Sequence, residues 1–304
     1  MTPGVGDFLA TQQTRLNLQL LSFADTERLG LCEEQSALDL LFKAGQYALS
    51  NGGKRVRPLL VCLSSRAVSN ENPDAALDNL TYAIELIHTY SLIHDDLPSM
   101  DDDDLRRGKP SLHKAYDEAT AILVGDGLQA RAFELLADAP GLSAEQKIAM
   151  ISVLSKAAGM QGMVGGQFID IHATNSDMTL EQLQAMHSLK TGALIRAALA
   201  LGGIAAGASE QQLAALDEYG THIGLAFQVV DDILDVEGDT QTLGKTQGKD
   251  SEVNKPTYVK LLGLDRAKTE AQRLLEEALH ALKDFGESAD LLRDLARYIV
   301  ERDR

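Results

Sequence analysis

Apolar residues recur at three- and four-residue spacing along nearly the whole chain. "LDLLFKAGQYAL" (38–49), "LDNLTYAIELIHTYSLIH" (77–94) and "LQARAFELLADA" (128–139) each carry one such stripe. That is the period of an α-helix lying on a core. Helix starts are marked too: Ser143 precedes Gln146 by three residues, and Thr179 stands in the same relation to Gln182. This is the spacing of reciprocal N-terminal capping. Alternating β-branched runs are missing and no repeat period stands out. Helices of about 12 to 20 residues joined by short Gly, Pro or Asp connectors predict an all-α, antiparallel bundle. No Pro/Ser/Gly linker interrupts the 304 residues, so one domain over 1–304 is expected.

One run, "TGALIRAALALGGIAAGAS" (191–209), is apolar enough to raise the question of a membrane span. It contains Arg196 and is built from Ala and Gly, which predicts a buried core helix and no membrane span. The first twenty residues lack a basic segment followed by an apolar one, so no signal peptide is expected. Cys32 and Cys62 lie in apolar settings without a paired framework, which fits a reducing cytoplasm. A formal net charge of -17 argues against nucleic acid or an anionic membrane as partner, since binding phosphate arrays needs a basic face.

Against that charge, "LIHDDLPSMDDDDLRRG" (92–108) stands out, with six aspartates in ten positions and two arginines directly behind them. A second cluster, "FQVVDDILDVEGD" (227–239), puts Asp231, Asp232 and Asp235 near the end of an apolar helix. Asp231 and Asp235 share a face roughly 6 Å apart, where the helix dipole also disfavours anions. For either cluster alone a solvated acidic helix end is an adequate reading; two of them point to bound cations. Carboxylate oxygens with phosphate co-ligands suit Mg²⁺. No His/Cys set has zinc spacing. A calcium loop starting at Asp235 fails, because Thr240 and Thr246 occupy the positions of its Gly and Glu.

Cations gather beside glycines or beside these clusters. "GGKRVRP" (52–58) supplies Lys54, Arg55 and Arg57; Arg106 and Arg107 follow the first cluster. "LKTG" (189–192) brings Lys190 and Thr191, and Lys245, Lys249 and Lys255 follow the second cluster. Arginine forks and lysine point charges match phosphate oxygens. His88 lies two turns before Asp95 on the same face, either as a core histidine or as a substrate contact.

The ordered set GKRVRP, DDLPSMDDDDLRRGKPSLH, GMVGGQFID, KTG, FQVVDDILD and GDTQTLGKTQGKD…NKPTY resembles the trans-isoprenyl diphosphate synthases, most of all the bacterial farnesyl diphosphate synthases. The likeness spans roughly residues 45 to 262. It implies an all-α isoprenoid synthase fold around a central apolar cavity, usually in a homodimer. It also implies Mg²⁺ as cofactor, with Mn²⁺ a possible substitute. The substrates would be isopentenyl diphosphate and an allylic diphosphate, dimethylallyl or geranyl, joined head to tail. By the resemblance, Asp95, Asp96 and Asp101 belong to the first metal motif, and Asp231, Asp232 and Asp235 to the second. Lys54, Arg57, His88 and Arg107 match the isopentenyl diphosphate site. Arg106, Lys190, Thr191, Gln228, Lys245 and Lys255 match the allylic side, with Lys190, Thr191, Gln228 and Arg106 nearest the chemistry. Gln167 and Asp170 match a pair near the reacting carbons.

Tyr90, with Ser91 beside it, sits about 7.5 Å below Asp95 along the helix and is expected to limit product length. An aromatic there accompanies the C15 product in the family; geranylgeranyl diphosphate synthesis is the alternative. A non-catalytic subunit is the other, although both acidic motifs are intact. Two departures matter. Pro98 and Ser99 lengthen the first motif, and Pro98 should end the helix before Asp101. The end, "YIVERDR", mixes acids and bases and is given no role.

Overall fold

The computed structural model describes residues 11, 14–18, 36–69, 74–173, 178–237 and 256–302. From residue 36 onward the chain runs α1 (Ser36–Ser50), α2 (Val56–Val68), α3 (Asp74–Asp95), a hairpin of β1 (Leu105–Arg106) and β2 (Lys109–Pro110), and α4 (Leu112–Ala115). There follow α5 (Glu118–Ala137), α6 (Ala144–Ala158), α7 (Met163–Ala173), α8 (Leu180–His187), a π-turn (Ser188–Gly192) and α9 (Ala193–Ala205). The chain finishes with α10 (Glu210–Glu237), α11 (Tyr258–Leu262), α12 (Leu264–Ala281), a 3₁₀ turn (Glu287–Ala289) and α13 (Asp290–Glu301). The all-α expectation holds; among the described residues the one sheet is an antiparallel hairpin, pairing Leu105 with Pro110 and Arg106 with Lys109.

Both capping boxes form. Ser143 Oγ accepts from Gln146 N while Gln146 Oε1 accepts from Ser143 N, and Thr179 and Gln182 do the same. Each satisfies two backbone donors left over at a helix start. Helix α3 packs along α5, α9 along α2, and α10 along α12. The run 191–209 is not a span but the centre of the bundle, with Leu194, Ala198, Leu199 and Leu201 almost fully buried in α9. Its Ala/Gly composition has a steric cause: a Cβ on Gly202 would overlap the carbonyl of Val61 in α2. Small residues let the two helices cross closely enough to exclude water.

A large cluster on α2, α3, α5, α6 and α9 includes Leu60, Leu80, Ile84, Leu136, Met150 and Leu199. A smaller one joins Leu183 and Met186 of α8 to Val229 and Ile233 of α10, Tyr258 and Leu274. Two interior bonds fix the ends: Tyr219 Oη donates to Leu292 O at 2.6 Å, and Ser288 Oγ donates to Ala67 O at 2.9 Å. Cys62 is buried in α2, while Cys32 lies outside the described residues.

Candidate active site

As the proline requires, α3 stops at Asp95, and the backbone then folds into a compact turn. Leu97 N donates to His94 O, Asp101 N to Asp95 O, Asp102 N to Leu97 O and Asp103 N to Asp96 O. Asp102 takes the left-handed φ of 47° that so tight a reversal demands. Asp95 closes the helix and Asp101 stands on the turn beside it. Burial, first of all, raises the Asp95 carboxyl to about 6, and Asp101 and Asp96 push the same way; Lys190, then Arg106, oppose the shift. A carboxyl so costly to ionise beside two others fits a site completed by a cation.

Asp96 has a different place. It is 2% exposed and grips Arg106, whose Nε and Nη2 both reach it, while Arg106 also approaches Asp103 at 3.6 Å. The first arginine behind the aspartates is therefore held by them. Arg107, at φ 53°, instead crosses to the glycine pair before α2 and donates to Gly52 O. Gly53 has φ 131°, and a Cβ there would lie 2.6 Å from the Arg107 guanidinium carbon. The pair of glycines both makes the turn and leaves room for the arginine.

Arg55 is held by internal partners beside this site. It is buried, pairs with Glu85 at 2.5 Å and donates to Leu49 O at 2.6 Å, so it belongs to the core under the loop. Lys54 is exposed on the loop before α2. Arg57, Arg106 and Arg107 all act electrostatically on His88, and Arg107 acts on Arg57. Burial, followed by those arginines and Arg55, keeps His88 well below its usual pKa, so its ring is uncharged at neutral pH. Burial lowers Arg57 to about 10, with Arg107 adding to the effect against the pull of Glu85. A pocket lined by Glu85, His88, Asp96, Arg106 and Arg107 opens here.

The second half of the site is built around the π-turn. One extra residue per turn bulges the backbone toward α7. There Gly166 receives it: a Cβ at Gly166 would be 2.6 Å from Lys190 Cα and 2.8 Å from Leu189 C. One turn along α7, Asp170 takes the Lys190 ammonium at 2.5 Å. Thr191 Oγ1 donates to Gln228 Oε1 at 3.3 Å, which brings α10 to the same wall one turn before Asp231. Gln167 is 8% exposed, and its amide nitrogen and oxygen have no hydrogen-bond partner among the described residues. His187, which opens the π-turn, is held at about 4 chiefly by burial.

Of the second acidic motif, Asp232 accepts from Tyr258 N at 2.6 Å and so anchors α11, while Asp235 is half-buried. Asp231 receives Arg302 at 2.5 Å, and the Arg302 guanidinium also stacks 4.1 Å over Phe227. Arg302, in a segment given no role from sequence, thus docks on this motif. Lys245, Lys249 and Lys255 lie outside the described residues.

His113 is the other residue that the sequence did not single out. It is 7% exposed, bonds Ser111 Oγ through Nδ1, and shares with Asp102 and Asp104 a set of ligand atoms within 4.8 Å of one another. This acidic group can hold a metal ion. Asp104 also pairs with Lys114 at 2.8 Å. Tyr90 is 5% exposed in the core and meets His94 edge-on at 5.7 Å; Ser91 Oγ donates to His88 O at 2.8 Å.

A helical bundle with an acid-lined mouth, basic walls fit for phosphate and an apolar interior is the architecture of the isoprenoid synthases. Residues 38–298 match the model of the polyprenyl synthetase family, and the chain belongs to that family. It is 49% identical over 267 residues to the farnesyl diphosphate synthase of Escherichia coli (strain K12), covering 85% of this chain and 88% of that one. Among solved structures it is similar to a FPP/GFPP synthase from Zymomonas mobilis in apo form, with TM-score 0.85, 38% identity and coverage of 99% and 100%. It is also similar to a geranyltransferase from Helicobacter pylori complexed with magnesium and isoprenyl diphosphate, with TM-score 0.82, 37% identity and coverage of 99% and 97%.

Proposed function

We propose that the protein is a Mg²⁺-dependent prenyltransferase that condenses isopentenyl diphosphate with dimethylallyl or geranyl diphosphate to give farnesyl diphosphate. The observation that carries this reading is the pairing of a carboxylate mouth at Asp95 and Asp101 with two separate groups of cations. Arg57 and Arg107 act on neutral His88 on one side, and Lys190, paired with Asp170, acts on Asp95 on the other. Two diphosphates need two such cradles.

Asp95 and Asp101, with Asp231 and Asp235 of the second motif, would hold Mg²⁺; Asp96 is engaged by Arg106 and supports the turn. When bound, the metal supplies positive charge to the diphosphate leaving group. The chain does the rest. Lys190 and Arg106 neutralise charge that builds on the departing allylic diphosphate, and being fixed beforehand they need no reorganisation. Arg57, Arg107, Lys54 and neutral His88 hold isopentenyl diphosphate with its double bond toward the allylic carbon. That double bond attacks the allylic cation, forming the new C–C bond, and a proton then passes to the released diphosphate. Thr191 and Gln228 present oxygens near the cation, while the apolar wall keeps water away from it. Tyr90 closes the cavity floor and sets the C15 length; geranylgeranyl diphosphate is the alternative product.

We place the protein in the cytoplasm, as one domain over 1–304, acting as a homodimer. Eight of the thirteen large apolar side chains exposed among the described residues fall within 122–171, including Leu123, Met160 and Phe168. These exposed apolar side chains on α5, α6, α7 and the connector before α7 support burial against a second copy. The test is incubation with isopentenyl and dimethylallyl diphosphates, with Mg²⁺, with Mn²⁺ and with chelator. A C15 diphosphate formed only with metal is expected. No condensation with any allylic starter would leave the non-catalytic subunit as the reading.

A further inference from the structure

We propose that Asp170 is a positioning residue that holds the Lys190 ammonium away from Asp95, keeping the first acidic motif open to its cation. This rests on the reading of Asp95 as a metal ligand and deepens it. Three features on α7 and the π-turn converge on it. Gly166 has no side chain where the bulged backbone of Leu189 and Lys190 arrives, so the turn seats directly on α7. Asp170, one turn further on and 8% exposed, then lies at 2.5 Å from Lys190 Nζ. The same ammonium also acts on Asp95, where it is the largest influence favouring the charged carboxylate.

Lys190 thus pairs with one buried carboxyl, Asp170, and acts at longer range on the half-buried carboxyl of Asp95, which belongs to a different helix. Its four-carbon stem is flexible and its charge compact, so which carboxylate it contacts depends on which competes better. Asp170 wins because the bulge at Gly166 delivers the lysine to it. With that carboxylate neutralised, Asp95 becomes the competing anion for the ammonium. A Lys190–Asp95 contact would occupy an oxygen that a divalent cation needs, so the cation would have to displace it. Asp170 touches neither metal nor substrate in this scheme; its effect passes through Lys190.

The experiment measures the Mg²⁺ concentration giving half-maximal thermal stabilisation of the full chain with inorganic pyrophosphate present, a readout independent of turnover. Asp170→Asn should raise that concentration about three- to tenfold, and Asp170→Glu should restore it to within about twofold of wild type. In a Lys190→Gln background, Asp170→Asn should produce no further rise, since the lysine is gone. An unchanged Mg²⁺ requirement in Asp170→Asn would overturn the proposal. So would an equal rise in the Lys190→Gln background, which would make Asp170 a ligand or a packing residue in its own right. Circular dichroism of Asp170→Glu and Asp170→Asn confirms that folded proteins are compared. Loss of condensation by the wild type would refute the enzymatic reading while leaving this metal comparison intact.

Discussion

Gly166→Ala isolates the seat on which the lysine depends. In an ordinary helix interior, replacing Gly by Ala stabilises by about 1 kcal/mol, because the helix no longer has to restrict so free a backbone. At Gly166 the new methyl would lie 2.6 Å from Lys190 Cα, against roughly 3.5 Å for an ordinary carbon contact. The obstacle is backbone, which cannot swing aside as a side chain would. Helix α7 and the π-turn must therefore part by about 1 Å. That would lengthen the 2.5 Å Asp170–Lys190 contact to about 3.5 Å, past the limit of a good N–H···O bond. Overpacking of this kind costs about 1–3 kcal/mol, more than the helix gains. A displacement of 1 Å at a catalytic group costs on the order of 10²-fold in rate. Urea unfolding should show Gly166→Ala less stable than wild type by up to about 2 kcal/mol. Steady-state kinetics should show kcat down by about two orders of magnitude. A variant about 1 kcal/mol more stable than wild type, with kcat unchanged, would refute the seat and the role built on it.

Tyr90→Ala removes a buried ring from the wall below Asp95 and should shift products from C15 toward C20 and longer, read by mass spectrometry; unchanged C15 product would clear Tyr90 of setting the floor. His187 is held near 4 in the folded chain against about 6.5 unfolded, so the unfolded state takes up the proton first as pH falls. Stability from this group is complete above about pH 6.5 and lost by about 1.4 kcal/mol per unit toward pH 4; His187→Gln should flatten the urea-midpoint slope between pH 7 and 5, and an unaltered slope would contradict it. Arg302→Gln deletes a guanidinium that is 2% exposed, its stacking on Phe227 and its pair with Asp231. Because Asp231 is about half exposed, the expected loss is only about 1–2 kcal/mol by urea unfolding; no loss would mean that the chain end does not hold α10.

Helix placement was open to sequence reasoning because its causes are local. The 3.6-residue stripes, the capping pairs at Ser143 and Thr179, and the break imposed by Pro98 each act within a few residues. The acidic motifs were legible for a related reason: carboxylates stacked at the end of an apolar helix are unfavourable without a partner, and that shows in a single line of residues. Arg55 is the counterexample. It sits in the same basic hexapeptide as Arg57, yet a left-handed backbone at φ 49° turns it inward to Glu85, thirty residues away. Nothing within the hexapeptide distinguishes the two arginines.

Residue type and spacing alone therefore determined the all-α class, the positions of the helices and the two clusters of carboxylates with cations close by. Only the tertiary structure decided which carboxylate each cation meets: Arg106 on Asp96, Lys190 on Asp170 and Arg302 on Asp231. It also decided that His113 joins Asp102 and Asp104, and that Gly166 and Gly53 are openings cut for a backbone and a guanidinium. The physical reason is range. Helix periodicity and capping are settled over three or four residues, whereas an ion pair or a steric notch depends on where the backbone carries a group 10 to 71 residues distant.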